Sequence, residues 1–247
     1  REKLTYDELP EVLIDAIVAT EDSRFFQHNG IDLARFIKAS FGQILGNSNA
    51  GGGSTLTMQV SKNAATNRNA HGLAGIIRKF TDIYLSVFVL EKQYTKEQIM
   101  EFYVNIPDLG ARAFGVEQAS QIYFGKSASD LNLAEAAMIA GLFQAPTAFN
   151  PYAHPVAAEN RRNIVLNLMY RHGYISEQER DAAKAVPVKS LLVGQKSSVN
   201  NYQDFIDTLH YDVINKTGDN PNYESMIIHT TLMPKKQDVV DKIMREG

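Results

Sequence analysis

Apolar positions return at helical spacing along most of this chain. Leu9, Val12, Leu13, Ala16 and Ile17 make the first stripe, with Pro10 where a first-turn proline is tolerated, and the helix they predict ends at Glu21. Asp32 is placed to N-cap a second helix that carries Leu33, Phe36, Ile37 and Phe41 on one side. Residues 42–53, with Asn47, Asn49, Gly51, Gly52 and Gly53, read as a loop. Ser54 is expected to cap the next helix, and a polar connection follows at 63–71. Ile76, Ile77, Phe80, Ile83, Tyr84, Val87 and Phe88 predict one long helix. Thr95 with Gln98, and Ser176 with Glu179, have capping-box form. Further helices fit 116–123, 133–142, 157–170 and 177–185.

Strand patterning is nearly absent until 226–232. Residues 1–185 therefore read as an all-α domain. After Pro187 the pattern changes to a polar stretch at 194–201, a helix at 202–214, the strand and a helix at 235–244. These elements are too few to bury a core of their own and read as a short α/β linker segment, 186–247, leading toward another domain.

Composition narrows the chemistry. The 247 residues are 44% hydrophobic and 21% charged, with a net charge of −3. No whole-chain field draws such a protein toward nucleic acid, so any anion site must be a local cluster. With no cysteine there is neither a disulfide nor a thiolate metal site. The apolar run 85–90 falls well short of the roughly 18 residues a membrane span needs.

Several clusters carry candidate chemistry. Glu21 and Asp22 are adjacent carboxylates at a helix end, followed by Arg24, Phe25, Phe26 and His28, a setting suited to acid–base work. His28 fits either a packed or a chemical role. Gly51, Gly52, Gly53 and Ser54 lack the Gly-Lys-Ser/Thr ending of a phosphate-binding nucleotide loop. Thr55, Gln59 and Lys62 share one helix face, which suits a sugar or phosphate or is simply solvated. Arg78, Lys79 and Asp82 form either an intrahelical ion pair or a cationic cradle for a diphosphate with an acid beside it. Arg161 and Arg162 point to different sides of one helix, so at most one faces a site. Phe36, Ile37, Phe41, Ile44 and Leu45 border the glycine-rich loop and form either core or a surface that dips into a membrane.

The order of these motifs resembles a known family. Glu21-Asp22-Ser23-Arg24-Phe25-Phe26-Gln27-His28-Asn29-Gly30 resembles its signature E-D-x-x-F-x-x-H-x-G. Gly52-Gly53-Ser54-Thr55-Leu56-Thr57-Met58-Gln59, with Lys62 after it, resembles G-G-S-T-L-T-Q-Q followed by Lys. Arg78-Lys79-Phe80-Thr81-Asp82 is similar to R-K-x-x-E, and Lys96-Glu97-Gln98-Ile99-Met100-Glu101-Phe102-Tyr103-Val104-Asn105 to K-x-x-I-L-E-x-Y-L-N. Arg161-Arg162-Asn163-Ile164-Val165-Leu166 is similar to R-R-x-x-V-L, and Tyr123-Phe124-Gly125-Lys126 and Ala145-Pro146 stand where the family has Y-F-G-K and A-P. These are signatures of the peptidoglycan glycosyltransferases of family 51, the polymerase module of class A penicillin-binding proteins. The resemblance covers about 1–185, and the tail from Ile228 resembles the entry to a transpeptidase domain. No Ser-x-x-Lys occurs. Two positions depart from the pattern: Asp82 stands where the family has Glu, and Met58 where it has Gln.

The resemblance implies a mainly α, lysozyme-like helical glycosyltransferase domain at 1–185, with a membrane-proximal jaw at about 31–75. It implies lipid II and the growing glycan strand as substrates, inverting transfer, and release of undecaprenyl diphosphate. Glu21 would be the general base, with Phe25 and Phe26 giving it an apolar setting, and Asp82 the second catalytic acid. Substrate-binding roles would fall to Asp22, Phe25, His28, Ser54, Thr55, Gln59, Lys62, Arg78, Lys79 and Arg162, with Asp22 and His28 also shaping the surroundings of Glu21. No residue spacing here marks a metal site, although a divalent Mg or Mn ion could assist. The expected setting is the extracytoplasmic face of the bacterial plasma membrane. Expected partners are the membrane surface, other cell-wall synthesis proteins and moenomycin-type inhibitors, with no nucleic acid. Two rival readings stay open: a lysozyme-like hydrolase or lytic transglycosylase, and a non-catalytic scaffold that binds lipid II.

Overall fold

Helix α1 (Glu11–Glu21) starts at Pro10 and buries Leu13, Ala16 and Ile17, the stripe its spacing predicts. A computed structural model describes residues 3–44, 53–65, 72–194, 203–217, 228–233, 236 and 239. The chain divides into two compact units, 1–193 and 194–247.

In the first unit, α1 is followed by a short 3-10 turn (Phe25–Gln27) and α2 (Leu33–Ile44). Asp32 caps α2 as expected: its carboxylate accepts from the Arg35 N–H at 2.9 Å and is bracketed by the Arg24 guanidinium. Helix α3 (Leu56–Ala65) is capped by Thr55 rather than by Ser54. Helix α4 (Gly72–Leu85) runs through a π turn (Ser86–Leu90) into α5 (Glu91–Gln93), so the long helix predicted across 76–88 forms but widens near its end. The widened turn passes over Gly30. A Cβ there would lie 2.9 Å from the Ser86 carbonyl carbon, and φ is +83°, so space and backbone both demand glycine.

Helices α6 (Lys96–Asn105), α7 (Val116–Phe124), α8 (Leu133–Leu142), α9 (Pro155–Arg171), α10 (Glu177–Ala185) and α11 (Val188–Leu191) complete this unit. Both predicted capping boxes form, and Asn132 with Glu135 adds another on α8. Helix α8 is buried on all sides from Ala134 to Leu142, as an apolar helix without a polar face must be. Helices α1 and α9 pack against it and against each other. The unit continues past α10 because Val188 is buried, its N–H donates to Glu159, and the Val193 N–H donates to the Tyr123 carbonyl at 2.9 Å.

The second unit holds α12 (Gln203–Thr217). The strand expected at 226–232 is not formed in its described part, 228–232, and 226–227 lie outside the described residues. An isolated strand satisfies its backbone groups only beside another strand, and among the described residues there is none. Most of the loop at 42–53, the connection at 63–71, the side chains of Phe41 and Ile44, and Leu45 also lie outside the described residues. Leu33 and Ile37 of α2 are exposed, as are Ile77, Phe80, Tyr84 and Phe88 along α4 and its π turn.

Candidate active site

Glu21 is the last residue of α1, and its side chain is 15% exposed. Three other helices reach it. From α3, Gln59 Nε2 donates to Glu21 Oε2 at 2.9 Å. From α9, Arg161 Nη2 stands 3.9 Å from Glu21 Oε1. From α6, the buried Tyr103 hydroxyl donates to Gln59 Oε1 in a long 3.5 Å bond, and its ring stacks on Phe143. Burial, reinforced by Glu21, pushes the Tyr103 phenol well above its ordinary value, so it stays a neutral donor.

Asp22 points the other way, into the protein. Fully buried, it faces His28 Nε2 at 2.9 and 3.1 Å, accepts from the Leu56 N–H at 3.0 Å, and lies 3.7 Å from Arg35. Arg35 also donates to the Glu21 carbonyl. One carboxylate thus ties the end of α1 to the turn after it, to α2 and to the N-terminus of α3, where free N–H groups favour an anion. The structure corrects the substrate-binding assignment of Asp22: both its oxygens are taken by internal donors. His28, its side chain 10% exposed, belongs to the same packed group.

Thr55, internally bonded, and Phe25, buried in the core, are corrected likewise. The Thr55 hydroxyl accepts from the Met58 N–H at 3.2 Å and donates to the Gly30 carbonyl at 2.7 Å, with no exposed surface. Met58, a departure from the family pattern, reaches back so that its sulfur accepts from the Thr55 N–H at 3.4 Å. It thereby fills the place of the Gln in a capping box with a weaker acceptor. Phe25 is core, under the Lys96 ammonium at 4.5 Å; Lys96 pairs with Glu91 at 2.7 Å, which accepts from Thr57 at 2.6 Å. Phe26 is exposed, and the partners of the Glu21 carboxylate are the polar groups of Gln59 and Arg161.

The cationic cluster lies across α3 and α4. Lys79 donates to Ser54, just before α3. Burial pushes the Lys79 ammonium below its ordinary value; Asp82 opposes that, and nearby Lys62 and Arg78 add to it. The electrostatics therefore group Ser54, Lys62, Arg78, Lys79 and the buried Asp82, as the spacing suggested. Lys62 lies one turn after Gln59 on α3, so this helix carries both the amide that holds Glu21 and a member of the cluster.

Arg162 is the clearest correction. It is fully buried and donates to the Val186 and Lys184 carbonyls and to Asn163. It closes the connection after α10. Its neighbour Arg161 is the one that faces Glu21, and the sequence marks it by nothing beyond the adjacent pair. Arg35 carries no local signal, and Tyr103 stands in a family signature that gives it no role. Among the described residues no three His, Asp or Glu side chains gather into a metal cage.

Fold and site together are those of a helical, lysozyme-like domain built around a carboxylate at a helix end. The chain matches the Transglycosylase family over residues 1–170, and it belongs to that family. Penicillin-binding protein 1A/1B of Bacillus subtilis is 38% identical over 252 residues, covering 98% of this chain and 27% of the relative. Penicillin-binding protein 1A of Pseudomonas aeruginosa is 34% identical over 248 residues, covering 100% of this chain and 29% of the relative. The chain thus spans under a third of the length of these relatives. The crystal structure of penicillin-binding protein 1A from Haemophilus influenzae is similar over 88% of this chain and 22% of that one, with a TM-score of 0.50 and 26% identity.

Proposed function

We propose that this domain is a peptidoglycan glycosyltransferase that polymerises lipid II by inverting transfer, with Glu21 as general base. The 4-hydroxyl of the incoming lipid II attacks the anomeric carbon of the growing strand. As the new C–O bond forms, its proton passes to Glu21, and the bond to the diphosphate oxygen breaks with its electron pair leaving on undecaprenyl diphosphate. A sugar hydroxyl is a poor nucleophile, and a positioned base is worth about 100- to 10,000-fold. Lys62, Arg78 and Lys79, with Ser54, would receive the charge that grows on the diphosphate, where cations act selectively on the transition state. Asp82 would hold that cluster in register and balance its charge.

The observation that carries this reading is α3 itself. It presents Gln59 to the base and sets Ser54 and Lys62 among the cations, so one rigid element spaces the two halves of the reaction. A hydrolase acting on finished strands releases a sugar hydroxyl and has no use for such a cluster.

The family supports the same substrates. The setting would be the extracytoplasmic face of the plasma membrane, with a jaw at 31–75 toward the bilayer and moenomycin-type compounds competing at the cationic half. Among the described residues no helix is long and apolar enough to cross a membrane. The second unit, 194–247, would lead toward a transpeptidase domain.

Labelled lipid II, followed as polymer on a gel, tests the reading. Wild type makes strands, and Glu21→Gln, with its fold intact, falls by about 100-fold or more. A variant that keeps more than a few per cent of activity would remove Glu21 as the base. Cleavage of purified glycan strands would favour the lytic reading, and a folded wild type that makes no polymer would favour a scaffold.

A further inference from the structure

The two oxygens of Glu21 are not equivalent. Oε2 is held by the Gln59 amide at 2.9 Å. Oε1 faces Arg161 at 3.9 Å, beyond hydrogen-bond reach but close enough for a strong charge interaction. We propose that Arg161 is a positioning residue for the base: with Gln59 anchoring Oε2, it turns Oε1 toward the acceptor hydroxyl and leaves that oxygen's lone pair free to take the proton. This rests on Glu21 being the base.

The surroundings of Arg161 suit that role. Its side chain is 12% exposed, an uncomfortable place for a guanidinium. Burial pushes it below its ordinary value, and the Glu21 carboxylate opposes that by favouring the charged form. Its stem is held on three sides. Nε donates to the Gly141 carbonyl at 3.3 Å, and the guanidinium carbon lies 5.8 Å from the Phe149 ring centre. The third side is a notch in α8: a Cβ on Gly141 would stand 2.9 Å from Arg161 Cγ. Gly141 sits in ordinary helical backbone, where glycine is a poor helix former, so the notch rather than the turn explains it. That contact is with the stem of the arginine, which cannot swing aside as a tip could. Helices α1, α8 and α9 pack on one another, so the notch, the arginine and the base are delivered by three rigid elements. Arg162, one residue on, is occupied by the Val186 and Lys184 carbonyls and the Asn163 side chain and cannot substitute.

The test compares Arg161→Ala, Arg161→Lys and Gly141→Ala with wild type in detergent, measuring kcat and KM for labelled lipid II separately, with thermal melts for the fold. Arg161→Ala should lower kcat by about 10- to 100-fold, as misplacement of a catalytic group does, with KM within about threefold. Arg161→Lys keeps the charge and should recover to within about tenfold of wild type. Gly141→Ala keeps the arginine but displaces its stem, and should lose kcat in the same way. It also carries the test if Arg161→Ala does not fold.

Unchanged kcat in folded Arg161→Ala, or in folded Gly141→Ala, would overturn the proposal. So would a loss confined to KM, which would make Arg161 a substrate ligand. If wild type polymerises, Glu21→Gln is dead and Arg161→Ala is unimpaired, this inference alone fails. If wild type makes no polymer, the glycosyltransferase reading fails and takes this one with it.

Discussion

Asp22→Asn tests whether the acid beside Glu21 holds structure or does chemistry. Donors converge on its carboxylate from three elements: Leu56 N–H at 3.0 Å, His28 Nε2 at 2.9 Å and the Arg35 guanidinium at 3.7 Å. A carboxylate offers two acceptor oxygens; an amide offers one and turns two N–H groups on the other side. Asparagine therefore sets a donor against a donor, either at the end of α3 or at His28. His28 escapes only by moving its proton to Nδ1, which is buried and finds no partner among the described residues. Losing one charge-assisted bond and stranding one buried donor costs roughly 2–4 kcal/mol. In a unit of this size each kcal/mol lowers Tm by about 2–4 °C, so the variant should melt about 10 °C below wild type. Circular dichroism at the helical minimum measures it, and polymerisation at a temperature well below both transitions separates fold from function. A variant that melts within about 2 °C of wild type would refute the satisfaction argument. If it also made no polymer, Asp22 would act chemically after all.

Two further predictions follow from groups away from the base. The Asp15 carboxyl is pushed up to about 6 by burial and by Glu11, so the folded chain holds that proton more tightly than the unfolded chain does. Its contribution is greatest below the ordinary carboxylate value and is lost as pH rises through about 6, so Asp15→Asn should stabilise the protein near pH 7.5 by about 1 kcal/mol after allowing for solvent screening, and by almost nothing near pH 3.5. Tm measured against pH for both proteins checks it, and a constant difference would contradict it. Met58→Gln replaces a thioether acceptor with an amide oxygen at the α3 cap and should add about 0.5 kcal/mol, with kcat unchanged; a lower Tm would show that the buried thioether is worth more as packing.

Local rules made much of the fold readable. The α1 stripe, the Asp32 cap and the Thr95 and Ser176 boxes all rest on residues within four positions of one another. The errors have causes of the same kind. Ser54 and Thr55 are both capping residues, and the third residue on decides between them. For Thr55 that residue is Met58, whose sulfur stands in for an amide and hides the box. The π turn at 86–90 is invisible because one wide turn hardly shifts an apolar stripe. The strand at 226–232 alternates like a strand, but alternation says nothing of a neighbour to pair with.

The site divides along the same line. Glu21 and the group around Lys79 could be found because each is a dense local cluster. That Gln59, Tyr103, Arg161 and Arg35 converge on Glu21 could not be read, because they come from four helices. The two arginines make the point most sharply. Adjacent residues on a helix diverge by about 100°, so one of them had to turn away, and their chemistry is identical. Which one turned is decided by two remote features: the bare carbonyls of Lys184 and Val186, which claim Arg162, and the missing Cβ of Gly141, which opens a path for Arg161. A glycine in the last turn of a buried, alanine-rich helix was the one trace of that path in the sequence. It becomes informative only when the question is what passes over it rather than how the backbone turns.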